Sequence, residues 1–435
     1  MRFLAGILIA APLLGQHLKV SEHVLANGMK LLVHEDHDIP NAALYLFFKI
    51  GSRNERPGIT GLSHFFEHMM FNGARKYGPK QFDIRMEENG GANNAYTSRD
   101  ITAYTDWFPK SAIDLMFDME SDRIGHLAID PKMVESERGV VYSERRLRVD
   151  NSNEGTLREQ LDAAAFTAHP YGIPIIGWPA DIETWTLDDL KAHFRMGYAP
   201  NNCIAVVSGA VTEAEALKLA RKYFEPIPKQ QPPPPVRTKE PKQLGERRVI
   251  VRKQAQNPLV MVSYHVPESR HADNAALQVF DAIMTAGRSS RLYRALVDQG
   301  QVAFEVSAEL DDAIDPSQWV CNISVKPGSS TETAEKALYA EVKRISDTGV
   351  TPAELSKARN QLLASLYRQF KTIAGKANLL GRAEIYYGDW RMVNQFAASL
   401  EKVTAADVQR VANLYFTETN RTVAVLVPEE KGGAK

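Results

Sequence analysis

The chain has 435 residues, 44% of them hydrophobic and 24% charged, with a formal net charge of -1 at pH 7. That length and apolar content suffice for two or more domains with real cores and exclude a disordered chain. Both signs of charge are interspersed along the chain, which gives no electrostatic footing for nucleic acid or an anionic membrane surface.

Met1-Arg2 and the apolar run Phe3 to Leu14 have the form of a secretory signal, too short to span a bilayer. Residues 1–16 are assigned to it, which predicts a periplasmic or secreted protein with no integral membrane span in the mature chain. Cys203 and Cys321 are the two cysteines, one in each half, so there is no disulfide framework despite export. Both are read as small buried residues. Asn27-Gly28 between apolar runs predicts a hairpin turn, and Ala42 to Ile50 a strand. Further on, Ser111 to Arg123 and Pro131 to Ala168 read as helical, the latter interrupted around Asp150 to Asn153.

The stretch Pro226-Ile227-Pro228-Lys229-Gln230-Gln231-Pro232-Pro233-Pro234-Pro235 cannot be helix. It marks an extended, semi-rigid linker, residues 228–244, between a first domain at 17–227 and a second at 245–435. In the second half Leu259 to His265 reads as a strand and Pro352 to Lys371 as a helix. The halves are related. Thr186-Leu187-Asp188-Asp189-Leu190 is echoed by Thr404-Ala405-Ala406-Asp407-Val408, and Asn202 before a β-branched run is echoed by Asn420, both at an offset of 218 residues. The predicted fold class is α+β: two related domains, each a mostly antiparallel sheet packed by helices.

Chemistry enters at Thr60-Gly61-Leu62-Ser63-His64-Phe65-Phe66-Glu67-His68, an H-x-x-E-H order known as an inverzincin motif. On a helix, His64 and His68 lie four residues apart and project from one face, so two imidazoles can reach one ion. Glu67 stands beside them, placed to take a proton from a water. A catalytic zinc site takes a third protein ligand, and Glu137 and Glu144, seven residues apart on one helical face, both qualify. The offset of 218 puts Ala282, Thr285 and Ala286 where the first half has His64, Glu67 and His68, so the second half lacks metal ligands.

These features resemble the pitrilysin family of zinc peptidases, which includes insulin-degrading enzyme. In that family the third ligand follows the second histidine by about seventy-six positions within an E-R-x-x-x-x-x-E pattern, and Glu144 stands seventy-six after His68. The resemblance implies His64, His68 and Glu144 as ligands of one Zn²⁺ per chain, Glu67 as general base, and Glu137 as a supporting carboxylate. Two imidazoles and a carboxylate suit zinc. Gly51-Ser52-Arg53-Asn54-Glu55, His169-Pro170-Tyr171-Gly172 and Tyr198-Ala199-Pro200-Asn201-Asn202 complete the likeness. Gly90-Gly91-Ala92-Asn93-Asn94-Ala95-Tyr96-Thr97-Ser98 resembles the family's edge strand, to which substrate adds as another strand. By that likeness Gly91, Asn94, Ala95, Tyr96 and Thr97 would bind substrate.

One departure matters. After Gly287-Arg288-Ser289-Ser290-Arg291-Leu292 the family commonly carries an arginine and a tyrosine that bind substrate and stabilise the tetrahedral intermediate; here those positions are Val297 and Phe304. Neither side chain has a donor. The resemblance therefore implies a zinc-bearing subunit of a heterodimer whose paralogous partner supplies the arginine and tyrosine, with a homodimer as the other arrangement. The expected activity is hydrolysis of extended or unfolded peptides within a dimeric chamber. The alternative is a non-catalytic core subunit of a related complex.

Overall fold

A computed structural model of the chain describes residues 17–429. The signal segment assigned to residues 1–16 lies outside the described residues. Strands β1 (Ser21–Val24), β2 (Lys30–Glu35), β3 (Asn41–Phe48), β4 (Ala92–Thr97), β5 (Thr102–Pro109) and β6 (Cys203–Gly209) form one sheet in the order β1-β2-β6-β3-β5-β4. Strands β7 (Arg247–Lys253), β8 (Leu259–Val266), β9 (Ala303–Leu310), β10 (Ser317–Val325) and β11 (Arg421–Pro428) form the second, in the order β7-β11-β8-β10-β9. Within each sheet a single pair is parallel, β2 with β6 and β7 with β11, and every other pair is antiparallel. The repeat read in the sequence is thus repeated in topology. Asn27-Gly28 sits in the β1–β2 turn, where Gly28 takes a φ of 90°.

One face of the first sheet packs against helices Leu62–Met69, Ile113–His126, Leu187–Gly197 and Glu213–Tyr223 around a core that includes Leu44, Leu46, Phe48, Phe66, Phe117 and Phe224. The second sheet does the same with helices Asn274–Thr285, Thr331–Thr348 and Ala405–Tyr415. Every residue of β6 is buried, so both faces of the first sheet must be covered. The cover is exchanged between the domains. Helix Ile373–Tyr386, from the second half, lays Ala377, Leu380 and Ala383 against Leu32, Ala43, Phe47 and Val206 of the first sheet. Helix Asn153–Ala165, from the first half, lays Leu157 and Leu161 against Met261, Val320, Ala424 and Leu426 of the second. Both begin alike, with the Ser152 hydroxyl accepting from Gly155 N–H and the Thr372 hydroxyl from Gly375 N–H. Each domain therefore needs the other's helix to close its sheet, and the two halves fold as one packed body.

The exchange depends on close approach at one residue. A Cβ on Gly381 would overlap the ring of Phe47, which is fully buried beneath it. Gly381→Val is expected to destabilise the chain by about 1–3 kcal/mol through overpacking. Gly245→Ala, at a position with open space around it, should stay within about 0.5 kcal/mol of the parent in the same chemical denaturation.

Residues 228–244 form no helix or strand, and they are held near both ends. The Asn201 amide donates to Gln230 O and accepts from Gln230 N–H, both at 2.9 Å. Glu240 accepts from the N–H groups of Thr167, Ala168 and His169; although burial opposes it, these bonds hold its carboxyl down at about 2. Both cysteines are buried and unpaired. Among the described residues no helix is long and apolar enough to cross a membrane.

The helix expected from Pro131 to Ala168 is interrupted at Asn151–Ser152, within the break expected around Asp150 to Asn153, and ends at Ala165. It runs Pro131–Arg145, widens into a π turn at Arg146–Asp150, and restarts at Asn153–Ala165. Asp130 opens it by accepting from the N–H groups of Lys132 and Met133, with proline at the first helical position.

Candidate metal centre

Helix Leu62–Met69 buries Leu62, Phe65, Phe66 and Met69, the i, i+3, i+4, i+7 stripe of an amphipathic helix. That commits His64, Glu67 and His68 to the opposite side. Its start is fixed from two directions. Glu55, buried, accepts from Gly61 N–H at 2.6 Å and Ser63 N–H at 2.7 Å, and burial pushes its carboxyl up to about 7 against those bonds. Asp181 accepts from Gly58 N–H, Thr60 N–H and the Thr60 hydroxyl. Gly61 takes a φ of 88° and packs against Gly177 so closely that neither tolerates a Cβ. At the other flank the Tyr104 hydroxyl donates to Phe66 O at 2.9 Å.

The helix Pro131–Arg145 lies alongside and presents Glu137 and Glu144 two turns apart. Glu144 Oε2 stands 3.2 Å from His68 Nε2 and 3.6 Å from His64 Nε2. Ligand atoms of His64, His68 and Glu144 all lie within 4.8 Å of one another, the one such metal-ligating group among the described residues. Glu137 takes a different place. Its Oε1 accepts from His68 Nδ1 at 2.9 Å and its Oε2 from the Asn72 amide at 2.6 Å, which leaves the lone pair of His68 on Nε2.

Burial pushes His64 down to about 4, and the His68 charge adds to the effect. Burial opposes charge on His68 too, but the Glu137 and Glu144 carboxylates outweigh it and push that ring up to about 9. Glu144 is held below the usual carboxylate range, chiefly by its bond with His68. The cluster is arranged to hold positive charge between carboxylates, with two imidazole nitrogens and one oxygen converging. That donor set fits zinc.

Glu67 points from the same helix. Its Oε2 accepts from the Thr97 hydroxyl at 2.7 Å, and burial lifts its carboxyl above the ordinary range. Among the described residues strand β4 pairs on one side only, with β5, which leaves its other edge free. Asn94, Ala95, Tyr96 and Thr97 line a cavity of about 790 Å³ together with His64, Glu67, His68 and Glu144. On the far side of Glu67 and His68 a recess of about 330 Å³ continues past Asn72, Asp83 and Asn93. The groove is therefore open to both sides of the converging ligands along a free strand edge. Gly91 does not line it. Gly91 sits tight against Met86 where the preceding helix turns into β4.

Val297 lies in the π turn Tyr293–Asp298 against the second core, and Phe304 lies exposed on the edge strand β9; neither lines the groove. Ala282 is buried in helix Asn274–Thr285. Motif residues noted only by likeness have structural work instead. Arg53 contacts Asp100 and Asp315, His169 bonds Asp315 at 3.1 Å, and the Tyr171 hydroxyl donates to Asp100 and accepts from Asp315 N–H. They bolt the second domain's Asp315 loop to the first domain beside the groove. No local pattern announces such a pairing.

Residues 30–178 match the family described as insulinase, peptidase family M16, and residues 184–362 match the peptidase M16 inactive domain. The latter span begins in the first half, crosses the linker and runs into the half without metal ligands. The chain is 30% identical over 386 residues to the zinc protease PqqE of Helicobacter pylori, covering 88% of this chain and 87% of that one. It is 25% identical over 398 residues to an uncharacterized zinc protease of Mycobacterium leprae, covering 91% and 88%. Among solved structures, a protease from Helicobacter pylori superposes with a TM-score of 0.92 at 29% identity, over 94% of this chain and 100% of that chain.

Proposed function

Since the chain belongs to peptidase family M16, the pitrilysin family, we propose that it is a zinc endopeptidase acting on extended or unfolded peptides. The observation that carries the reading is Glu67 beside three converging ligand atoms at a free strand edge.

His64, His68 and Glu144 would hold the ion, and Glu137 would keep the His68 ring in the tautomer that offers Nε2. When bound, zinc supplies Lewis acidity that polarises a scissile carbonyl and makes water ionisable near neutral pH. Glu67 has Oε2 occupied by Thr97, so Oε1 takes the proton of the attacking water and returns it to the leaving amine. The free edge of β4 binds the peptide backbone by strand addition, which a folded substrate cannot offer. The lack of a donor at Val297 and Phe304 supports a heterodimer in which a paralogous subunit supplies the missing arginine and tyrosine. The apolar run Phe3 to Leu14 supports export to the periplasm.

Metal content and turnover test this together. The purified chain is expected to hold one zinc and to lose it in His68→Ala. Adding the cognate partner should raise peptide turnover by about a hundredfold, the usual worth of one oxyanion donor. Full turnover by the chain alone, unchanged by any partner, would refute the heterodimer. A chain that carries zinc and hydrolyses nothing with any partner would favour a non-catalytic core subunit, the reading that the donorless positions 297 and 304 also allow.

A further inference from the structure

We propose that Arg148 is a positioning residue for the metal centre, fixing which oxygen of Glu144 faces the two histidines. The proposal rests on the assignment of His64, His68 and Glu144 as ligands. Arg148 Nε stands 2.8 Å from Glu144 Oε1, while Glu144 Oε2 is the oxygen that faces both Nε2 atoms. The carboxylate is thus divided between two duties, one oxygen paired with a guanidinium and one presented to the ion. A carboxylate without that partner is free to rotate, or to offer both oxygens at once.

An exposed arginine paired to a helical glutamate ordinarily contributes little, because the long side chain is free and water screens the pair. Arg148 departs from that expectation because its backbone is held on several sides. It lies in the π turn Arg146–Asp150, a form of turn that occurs mostly as a single insertion and frequently at functional sites. A Cβ on Gly155 would overlap Arg148 O, so only glycine allows this approach. The Thr156 hydroxyl donates to Val149 O at 2.7 Å, and Lys253 of the second domain donates to Asp150 O at 2.6 Å. Arg145 cannot take over the duty, since it is buried and bound to Glu159 and to Gly177 O. The side chain of Arg148 is 73% exposed and lines the groove, so replacing it leaves the core intact.

The test reads metal affinity rather than turnover. Zinc is titrated against a chromophoric chelator for the parent, Arg148→Ala, Arg148→Lys, Arg146→Ala and His68→Ala, and the visible spectrum of each cobalt-loaded protein is recorded. Arg148→Ala should weaken zinc binding roughly 10–100-fold and change the cobalt spectrum, with unfolding of the metal-free protein unchanged. Arg148→Lys should recover part of the affinity, because it keeps the charge without the planar fork. Arg146→Ala should match the parent. Affinity of Arg148→Ala within about threefold of the parent, with an unaltered cobalt spectrum, would overturn the proposal. Equal zinc binding by the parent and His68→Ala would instead overturn the ligand assignment beneath it.

Discussion

Glu67→Gln is expected to retain zinc and to lose peptide hydrolysis by about 10²–10⁴-fold, the contribution of a positioned general base. The substitution is close to isosteric, so helix Leu62–Met69 keeps its buried stripe of Leu62, Phe65, Phe66 and Met69. Thr97 still finds an acceptor, the amide oxygen, at the place where it bonds Glu67 Oε2 at 2.7 Å. Glu67 is not among the converging ligand atoms of His64, His68 and Glu144, so zinc content should not fall. The loss should therefore lie in kcat with little change in KM, since the strand-edge residues Asn94 to Thr97, proposed above to bind the peptide, keep their places along the groove. Zinc analysis and steady-state kinetics on the same preparation check both halves. Loss of zinc along with activity would make Glu67 a structural support of the centre rather than its base.

Arg123→Met should destabilise the chain by about 3–5 kcal/mol, as removal of one partner from a buried charge cluster does. Arg123 is 2% exposed. Its Nε donates to Glu120 Oε2 at 2.7 Å, and its guanidinium lies over Phe82 at 4.2 Å and Tyr104 at 4.4 Å. Asp106 is buried close by, and burial followed by Glu120 pushes its carboxyl well above the ordinary range. Arg123 is thus the cation paired with the buried Glu120 beside a carboxyl that burial keeps from ionising, and methionine would leave the Glu120 carboxylate uncompensated while roughly filling the space. Tyr104, under the guanidinium, also holds Phe66 O, so the strain reaches the helix that carries His64 and His68. Arg85→Met, which removes an exposed pair with Glu88, should cost under about 1 kcal/mol by the same chemical denaturation. Equal effects for the two variants would remove the buried cluster from the account.

What could be read in advance was what the chain encodes locally. His64, Glu67 and His68 lie within one helical turn, Asn27-Gly28 marks its own hairpin, and the repeat survives as a constant offset between like segments. Strand β4 was harder. Ala92–Thr97 has no fully buried residue and no apolar face, so only the family likeness marks it as a strand, and that likeness extends to Gly91, which does not line the groove. The π turn at Arg146–Asp150 leads into the break expected around Asp150 to Asn153; Arg-Leu-Arg favours helix and gives no local sign of the widening. The exchange of helices Asn153–Ala165 and Ile373–Tyr386 was hidden, since an amphipathic helix shows that it must bury a face but not against which sheet. The ties among Arg53, Asp100, His169, Tyr171 and Asp315 join residues remote in sequence, and no spacing rule links them.

The central claim is that His64, Glu67, His68 and Glu144 form a hydrolytic zinc centre. Its most direct test is cleavage of a quenched fluorescent unstructured peptide by the zinc-loaded chain, alone and with its cognate partner. Turnover that disappears on chelation, returns with zinc and is absent from Glu67→Gln is the predicted result; a zinc-loaded chain that is inert in every combination would contradict it.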